Sequence, residues 1–305
     1  MGIKLTILGY NAAVPSSRAN PTSQVIEVDD NFYLLDCGEA TQLQLRKAKI
    51  KFTKINTIFI SHLHGDHVYG LIGLISTFEL LGREKPLTIF GPKGIKEFIS
   101  LQQNLTSSHR NIELIFHELS STKSEKIFED KKIEVFTIPL QHRIYTNGYL
   151  VKEKTKKRKL NQEEIIKYPE ITICDYQNIK NGLDFTLSSG NIIPNNQLSF
   201  PPVKSKSYAF CSDTTYLESI IPIIENVDLL YHEATFKDDK KELAKITGHS
   251  TSIQAAEIAK KANVKKLVLG HFSNRYKNPR ELVEEAQTIF PNTIFLEQLQ
   301  EYKIE

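Results

Sequence analysis

Ser61-His62-Leu63-His64-Gly65-Asp66-His67 is the stretch on which the reading of this chain turns. Four side chains able to hold a metal ion fall within six residues, directly after the apolar run Thr57-Ile58-Phe59-Ile60. Residues two apart on an extended chain point to the same side, so His62 and His64 can grip one ion. Gly65 permits a sharp turn, after which Asp66 and His67 open a helix and can face a second ion. Imidazole and carboxylate suit zinc and related borderline metals. A lone histidine is usually structural, but four such groups after a strand rarely are.

Working outward, strands and helices alternate. Residues 5–8, 24–28 and 32–35 read as strands, then 57–60 and 87–90. Helical spacing covers 41–49, 68–81 (stopping at Gly82) and 93–105. In the second half, strands at 208–210, 227–231 and 267–269 run into Asp213, His232-Glu233 and His271. Thr251 or Ser252 caps a helix with Ile253, Ala256, Ala259 and Ala262 on one side. Asn278-Pro279 starts a last helix towards Phe290, and 293–295 returns as a strand. This is the pattern of a layered α/β domain with its sites at strand ends. Two ions need about four ligands each, less the positions kept for water or substrate. His142, Asp213 and His271 each follow a strand and are candidates for the remainder. Asp213 has two oxygens and could bridge. Taken singly, His142 or His271 reads equally well as a surface or core histidine.

The chain has 305 residues, 40% hydrophobic and 25% charged, enough to fill a sizeable core. It lacks an apolar run long enough to span a bilayer, and its first residues do not read as a secretory signal. Cys37, Cys174 and Cys211 are odd in number and far apart, so neither a disulfide framework nor an all-cysteine zinc site is expected. A reducing, cytoplasmic setting is the expectation. The net charge of +3 is too small to imply a polyanionic partner. Its distribution says more, because Lys152, Lys154, Lys156, Lys157, Arg158 and Lys159 form one basic run. That run reads either as a solvated loop or as a phosphate-binding arm. It opens a polar stretch, 152–202, expected to be a protruding insertion without a second core.

The cluster, followed in order by His142, Asp213 and His271, resembles the metallo-β-lactamase superfamily. More narrowly, the chain is similar to the ribonuclease Z family of transfer-RNA 3′ endonucleases. Leu34-Leu35-Asp36-Cys37-Gly38-Glu39-Ala40-Thr41-Gln42, Asn147-Gly148-Tyr149 after His142, and Ser212-Asp213-Thr214 carry this resemblance. So do His232-Glu233-Ala234-Thr235, His249-Ser250-Thr251 and Gly270-His271-Phe272-Ser273-Asn274-Arg275-Tyr276. It implies a four-layer αββα sandwich over residues 1–305 with a flexible arm at 152–202. It implies two zinc ions per subunit, with manganese able to replace them. His62, His64 and His142 would hold one; Asp66, His67 and His271 would hold the other; Asp213 would lie between.

The resemblance further implies removal of the 3′ trailer from precursor transfer RNA, leaving a 3′-hydroxyl on the transfer RNA and a 5′-phosphate on the trailer. Asp66 would accept the proton of the attacking water. His249, oriented by Glu233, would protonate the leaving oxygen. By themselves, Glu233 reads as a strand-end carboxylate and His249 as a neighbour of a helix cap. Ser273 and Arg275 would contact a phosphate. Lys156, Lys157 and Arg158 would help the arm grip the transfer RNA body, in a homodimer whose arms serve each other's sites. The chain departs from the family at 168–176, where a Gly-Pro tip is missing. It also departs at Pro15-Ser16-Ser17-Arg18-Ala19-Asn20, which lacks the usual lysine. A small-molecule phosphodiesterase would share the ligands but has no use for a basic arm. A non-catalytic RNA-binding relative would not need the complete ligand set.

Overall fold

The strand signals resolve into two mixed sheets of seven strands each. The computed structural model describes residues 2–14, 16–106 and 112–304, so Pro15 of the altered early loop lies outside the described residues. Two compact units are present: Met1–Glu153 with Lys206–Glu305, and Lys154–Ser205.

In the larger unit the first sheet runs Glu301–Lys303, Ile3–Gly9, Ser23–Val28, Asn31–Cys37, Ile55–Phe59, Leu87–Pro92 and Leu114–Leu119. Neighbours are antiparallel up to Asn31–Cys37 and parallel beyond it. The second sheet runs Thr293–Ile294, Leu267–Gly270, Leu229–Glu233, Ser207–Cys211, Thr146–Glu153, Ile133–Leu140 and Lys126–Glu129. Its first four strands are parallel and the rest antiparallel. Strands of a parallel sheet are covered on both faces, so they must be apolar throughout. Ile58 and Phe59, and Leu229, Leu230 and Tyr231, are accordingly all buried.

The sheets share a core that includes Leu5, Phe59, Tyr149, Phe210 and Tyr231. Phe59 anchors it, with ring centroids 5.1 Å from Phe90 and 5.3 Å from Tyr149. Each such side chain contributes roughly 1.5–3 kcal/mol by burial. On the outer face of the first sheet lie the helices Thr41–Lys47, Gly70–Leu80 and Ile95–Leu105, through Leu45, Leu74, Phe78 and Ile99. The outer face of the second carries Ser252–Lys261 and Arg280–Gln287, through Ala256, Ala259 and Leu282. The layers are therefore α, β, β, α, as the family resemblance implies.

Some element boundaries differ from the sequence reading. Gly65–Val68 is a separate helical turn, and the long helix starts only at Gly70. The first helix ends at Lys47 because Lys49 takes a left-handed φ of 56°. Thr251, rather than Ser252, is the cap, in a reciprocal capping box with Gln254. That helix buries Ala255 and Ile258 alongside Ala256 and Ala259, while Ile253 is only half-buried. The strands Leu114–Leu119 and Lys126–Glu129 lie at sheet edges and expose much of their length, so they lack the apolar runs that betray inner strands. No helix of the described residues is long and apolar enough to cross a membrane.

Lys154–Ser205 has a small core of its own, where the sequence reading expected none. Leu160, Ile165, Ile171, Ile179 and Leu198 form it. Asn195 Nδ2 donates to the carbonyls of Ile179 and Leu183, each at 2.8 Å, tying the short helical turns together. Five spaced apolar residues among 52 polar-rich positions give no helical or strand period, which is why the core was not legible.

Candidate active site

The cluster side chains sit past the ends of strands, with Asp66 and His67 on the helical turn Gly65–Val68. His62 and His64 follow Ile55–Phe59, His142 follows Ile133–Leu140, Asp213 follows Ser207–Cys211, and His271 follows Leu267–Gly270. Ligand sites at the carboxyl ends of parallel strands are the general rule for open α/β sheets. The loops bring these residues into two groups. In one, His62 Nε2 and His142 Nε2 lie 3.0 and 3.3 Å from His64 Nδ1. Asp213 Oδ2 is 3.7 Å from His62 Nε2 and 3.9 Å from His142 Nε2. In the other, His271 Nε2 lies 3.2 Å from Asp66 Oδ2 and 3.4 Å from His67 Nε2. Asp213 Oδ1 is 3.3 Å from both His67 Nε2 and His271 Nε2. Asp213 thus presents one oxygen to each group.

The outward nitrogens of four of these rings are also occupied. His67 Nδ1 donates to Asp36 Oδ2 at 2.7 Å, and His142 Nδ1 to the Gly248 carbonyl at 2.7 Å. Ser61 Oγ lies 2.9 Å from His62 Nδ1, and Thr235 Oγ1 lies 2.9 Å from His271 Nδ1. Both hydroxyls donate onward to carboxylates, Asp36 and Glu233, at 2.8 Å, so they accept from the rings. Each ring is therefore fixed with its Nε2 lone pair facing inward, the device that orients metal-binding histidines. Asp36 and His271 hold left-handed φ values of 53° and 57°, backbone strain that clusters at functional sites. Gly248 also needs its positive φ of 78°, and a Cβ there would come within 2.8 Å of His142 Nδ1.

Charge is concentrated here. Burial, reinforced by the charge of His67, pushes His62 well below its ordinary pKa. Burial likewise lowers His64 and His142. Burial opposes a charged His67, yet Asp213, Asp66 and Asp36 around it raise it far above the usual value. Burial also opposes ionisation of Asp66, but His67 and His271 hold it well below the carboxylate range. Such a nest of buried carboxylates demands positive charge from somewhere.

Beside the two groups, His249 Nδ1 lies 2.9 Å from Glu233 Oε1. Glu233 is fully buried, and its oxygens also accept from the backbone of Thr214, Ser250 and Thr235. Burial works against a charged His249. Glu233, by charge and hydrogen bond, and then Asp213 more than offset it and push the ring up to about 9. A cavity of about 300 Å³ opens over the cluster, lined by Asp66, Arg143, His249, Ser273 and Arg275 among others. Ser273 and Arg275 are thus brought to the cluster, with Arg275 also lying over the Phe236 ring at 5.8 Å. Lys156, Lys157 and Arg158 belong to the smaller unit. There, Arg158 donates to Ser199 Oγ at 2.7 Å and to its carbonyl at 3.1 Å. Asp36, Ser61, Thr235, Gly248 and Arg143 were not among the sequence candidates. Asp36 alone carried a usable signal, since it too ends a strand.

The ribonuclease Z of Parabacteroides distasonis is 47% identical over 294 residues, covering 96% of both chains. That of Porphyromonas gingivalis is 46% identical over 290 residues, 94% of both. The chain belongs to the ribonuclease Z family. Among solved structures, human tRNase Z, short form, matches with a TM-score of 0.73 and 28% identity over 99% of both chains. YhfI of Bacillus subtilis, a metallo-β-lactamase fold protein, matches at TM-score 0.70 and 19% identity over 99% of this chain and 100% of its own, a likeness of fold alone. One family model, that of anti-Pycsar protein Apyc1, matches residues 3–155. It takes in the 62–67 cluster and His142 but stops short of Asp213, Glu233, His249 and His271. The ribonuclease Z relatives extend over nearly the whole chain and decide the assignment.

Proposed function

We propose that this chain is a metal-dependent endoribonuclease that removes the 3′ trailer from precursor transfer RNA in the cytoplasm. The cut leaves a 3′-hydroxyl on the transfer RNA and a 5′-phosphate on the trailer. The observation that carries the chemistry is Asp213, with one oxygen facing each donor group. The donor set fits two zinc ions. Ligand atoms about 2.1 Å from a tetrahedral zinc lie about 3.4 Å from one another. The contacts above are of that size, the hydrogen bonds at the outward nitrogens of His62, His142 and His271 leave their inward nitrogens with a lone pair, and the surrounding carboxylates call for cations. On this reading His62, His64 and His142 hold one ion, Asp66, His67 and His271 the other, and Asp213 both. Manganese suits the same donors.

When bound, a pair of such ions supplies a water of near-neutral pKa and charge to offset the phosphate. The chain's own residues do the rest. Asp66, at the cleft wall, takes the proton of the attacking water. Glu233 holds His249 by Nδ1, leaving the other ring nitrogen to deliver a proton to the departing 3′-oxygen. Ser273 and Arg275 face the cleft where the phosphate would sit. Lys156 and Lys157 lie beside Arg158, which braces the small unit, and supply it with charge for the RNA backbone.

A homodimer is part of the proposal. Leu80 and Leu105 are 87% and 76% exposed at the ends of two helices joined by a Gln103–Glu79 hydrogen bond, with Leu81 and Leu101 nearby. Apolar surface of this kind is characteristic of interaction sites. Sedimentation of the purified protein checks it, and a single species of one-chain mass would refute it.

The deciding experiment is incubation of a precursor transfer RNA bearing a 3′ trailer with metal, with chelator, and with the His64→Ala variant. One cut near the discriminator base is expected, lost in both of the latter. Full activity of the variant would overturn the metal assignment.

A further inference from the structure

His249 lines a second cavity as well as the one over the cluster. This cavity measures about 560 Å³ and is walled by Gln141, Thr215, Tyr216, Lys241, Glu242 and Lys245. Its chemistry differs from that of the metal-type cleft. Lys241 and Lys245 are one turn apart on the helix Lys241–Thr247, so they share a face, and both are exposed. Among the described residues neither has an ion-pair partner, whereas Lys240 pairs with Asp239 and Lys261 with Glu218. Tyr216 is held in place at the cavity wall. Its hydroxyl donates to Glu218 Oε1 at 2.7 Å and accepts from Lys261 Nζ at 2.8 Å. A fixed aromatic ring beside free ammonium groups is how proteins seat one nucleotide of a single strand. Glu242 is the single opposing charge.

We infer that this cavity seats the nucleotide immediately 5′ of the scissile phosphate, its base on Tyr216 and its phosphate between Lys241 and Lys245. The inference rests on the function proposed above, and specifically on His249 protonating the 3′-oxygen. That oxygen belongs to the upstream nucleotide, and His249 lines both cavities, so a sugar and base attached to it have this cavity next to them. The attacking water enters opposite that oxygen, and the trailer stays bonded to the phosphorus through its own 5′-oxygen.

The test measures kcat/KM on two precursors, one intact and one abasic at that nucleotide, with wild-type enzyme and Tyr216→Ala. Each change alone is expected to cost about tenfold. The two together should cost little more than either, because both remove the same stack. Tyr216→Phe keeps the ring but releases it from Glu218 and Lys261, so it should cost clearly less than Tyr216→Ala. Lys241→Ala/Lys245→Ala should raise KM several-fold and flatten its salt dependence. Losses that multiply, or a cycle that closes on the first trailer nucleotide instead, overturn the inference. So does a Tyr216→Phe variant as weak as Tyr216→Ala, or a lysine variant with wild-type KM. Failure of wild-type enzyme to cut the intact precursor would strike the proposed function itself, not this seat.

Discussion

The two sheets build the site in opposite ways. The first delivers His62, His64, Asp66 and His67 from a single loop of six residues. The second delivers His142, Asp213, Glu233 and His271 one at a time, from the ends of four strands. A local cluster can form its contacts as soon as its loop is ordered. A distributed set needs the whole sheet in register, so its geometry is as good as the packing beneath it. The first donor group takes two residues from one loop and two from the other sheet; the second group does the same if Asp213 is counted for both.

Asp213 is the point where this contrast can be broken most severely. Asp213→Ala should remove a ligand atom from both donor groups, dropping metal content towards zero and cleavage of precursor transfer RNA by more than about 10⁴-fold. Elemental analysis of the purified variant checks it, and two ions per chain would show that the sheets bind independently. His249→Ala comes next. A loss of about 10²–10⁴-fold is expected on transfer RNA, but less than tenfold on an aryl phosphodiester, whose leaving group needs no proton. Equal losses on both substrates would remove the acid role. Asp36→Asn tests the first sheet's support rather than its ligands. It faces an amide towards the Ser61 N–H and loosens His67, so metal affinity should fall about 10–100-fold in a chelator competition.

Gly248→Ala does the equivalent on the other side, and its expected effect is smaller. The left-handed φ alone costs about 1–2 kcal/mol, read as a lowered melting temperature. A variant as stable as wild type would mean that the loop holding His142 is not constrained. The mildest change is Lys157→Ala in the small unit. Binding should weaken modestly, with the slope of log affinity against log salt reduced by about one. An unchanged slope would favour the solvated-loop reading of the basic run.

The same contrast explains what the sequence could reveal. The first sheet's donor residues were visible because they are adjacent in the chain and follow an apolar run. His142, Asp213 and His271 became readable only through their shared position after strands, and His249 and Glu233 only through family resemblance. Asp36 was quoted as part of a motif but given no task, because a buried carboxylate's partner lies 25 and 31 residues away, at Ser61 and His67. Thr235 and Gly248 act through a hydroxyl and a carbonyl, which carry no compositional signal. Edge strands and the small core of Lys154–Ser205 escaped for a different reason: too few of their positions are buried to impose a period.

The hydrogen bonds behind the four histidine rings bear on how readily a cation would be held. Because Asp36, Ser61, Gly248 and Thr235 already fix those rings, metal capture has little disorder left to remove. Unlike a zinc finger, whose fold forms only around its ion, this scaffold has a hydrophobic core between its sheets, so a captured cation would not also have to organise the fold.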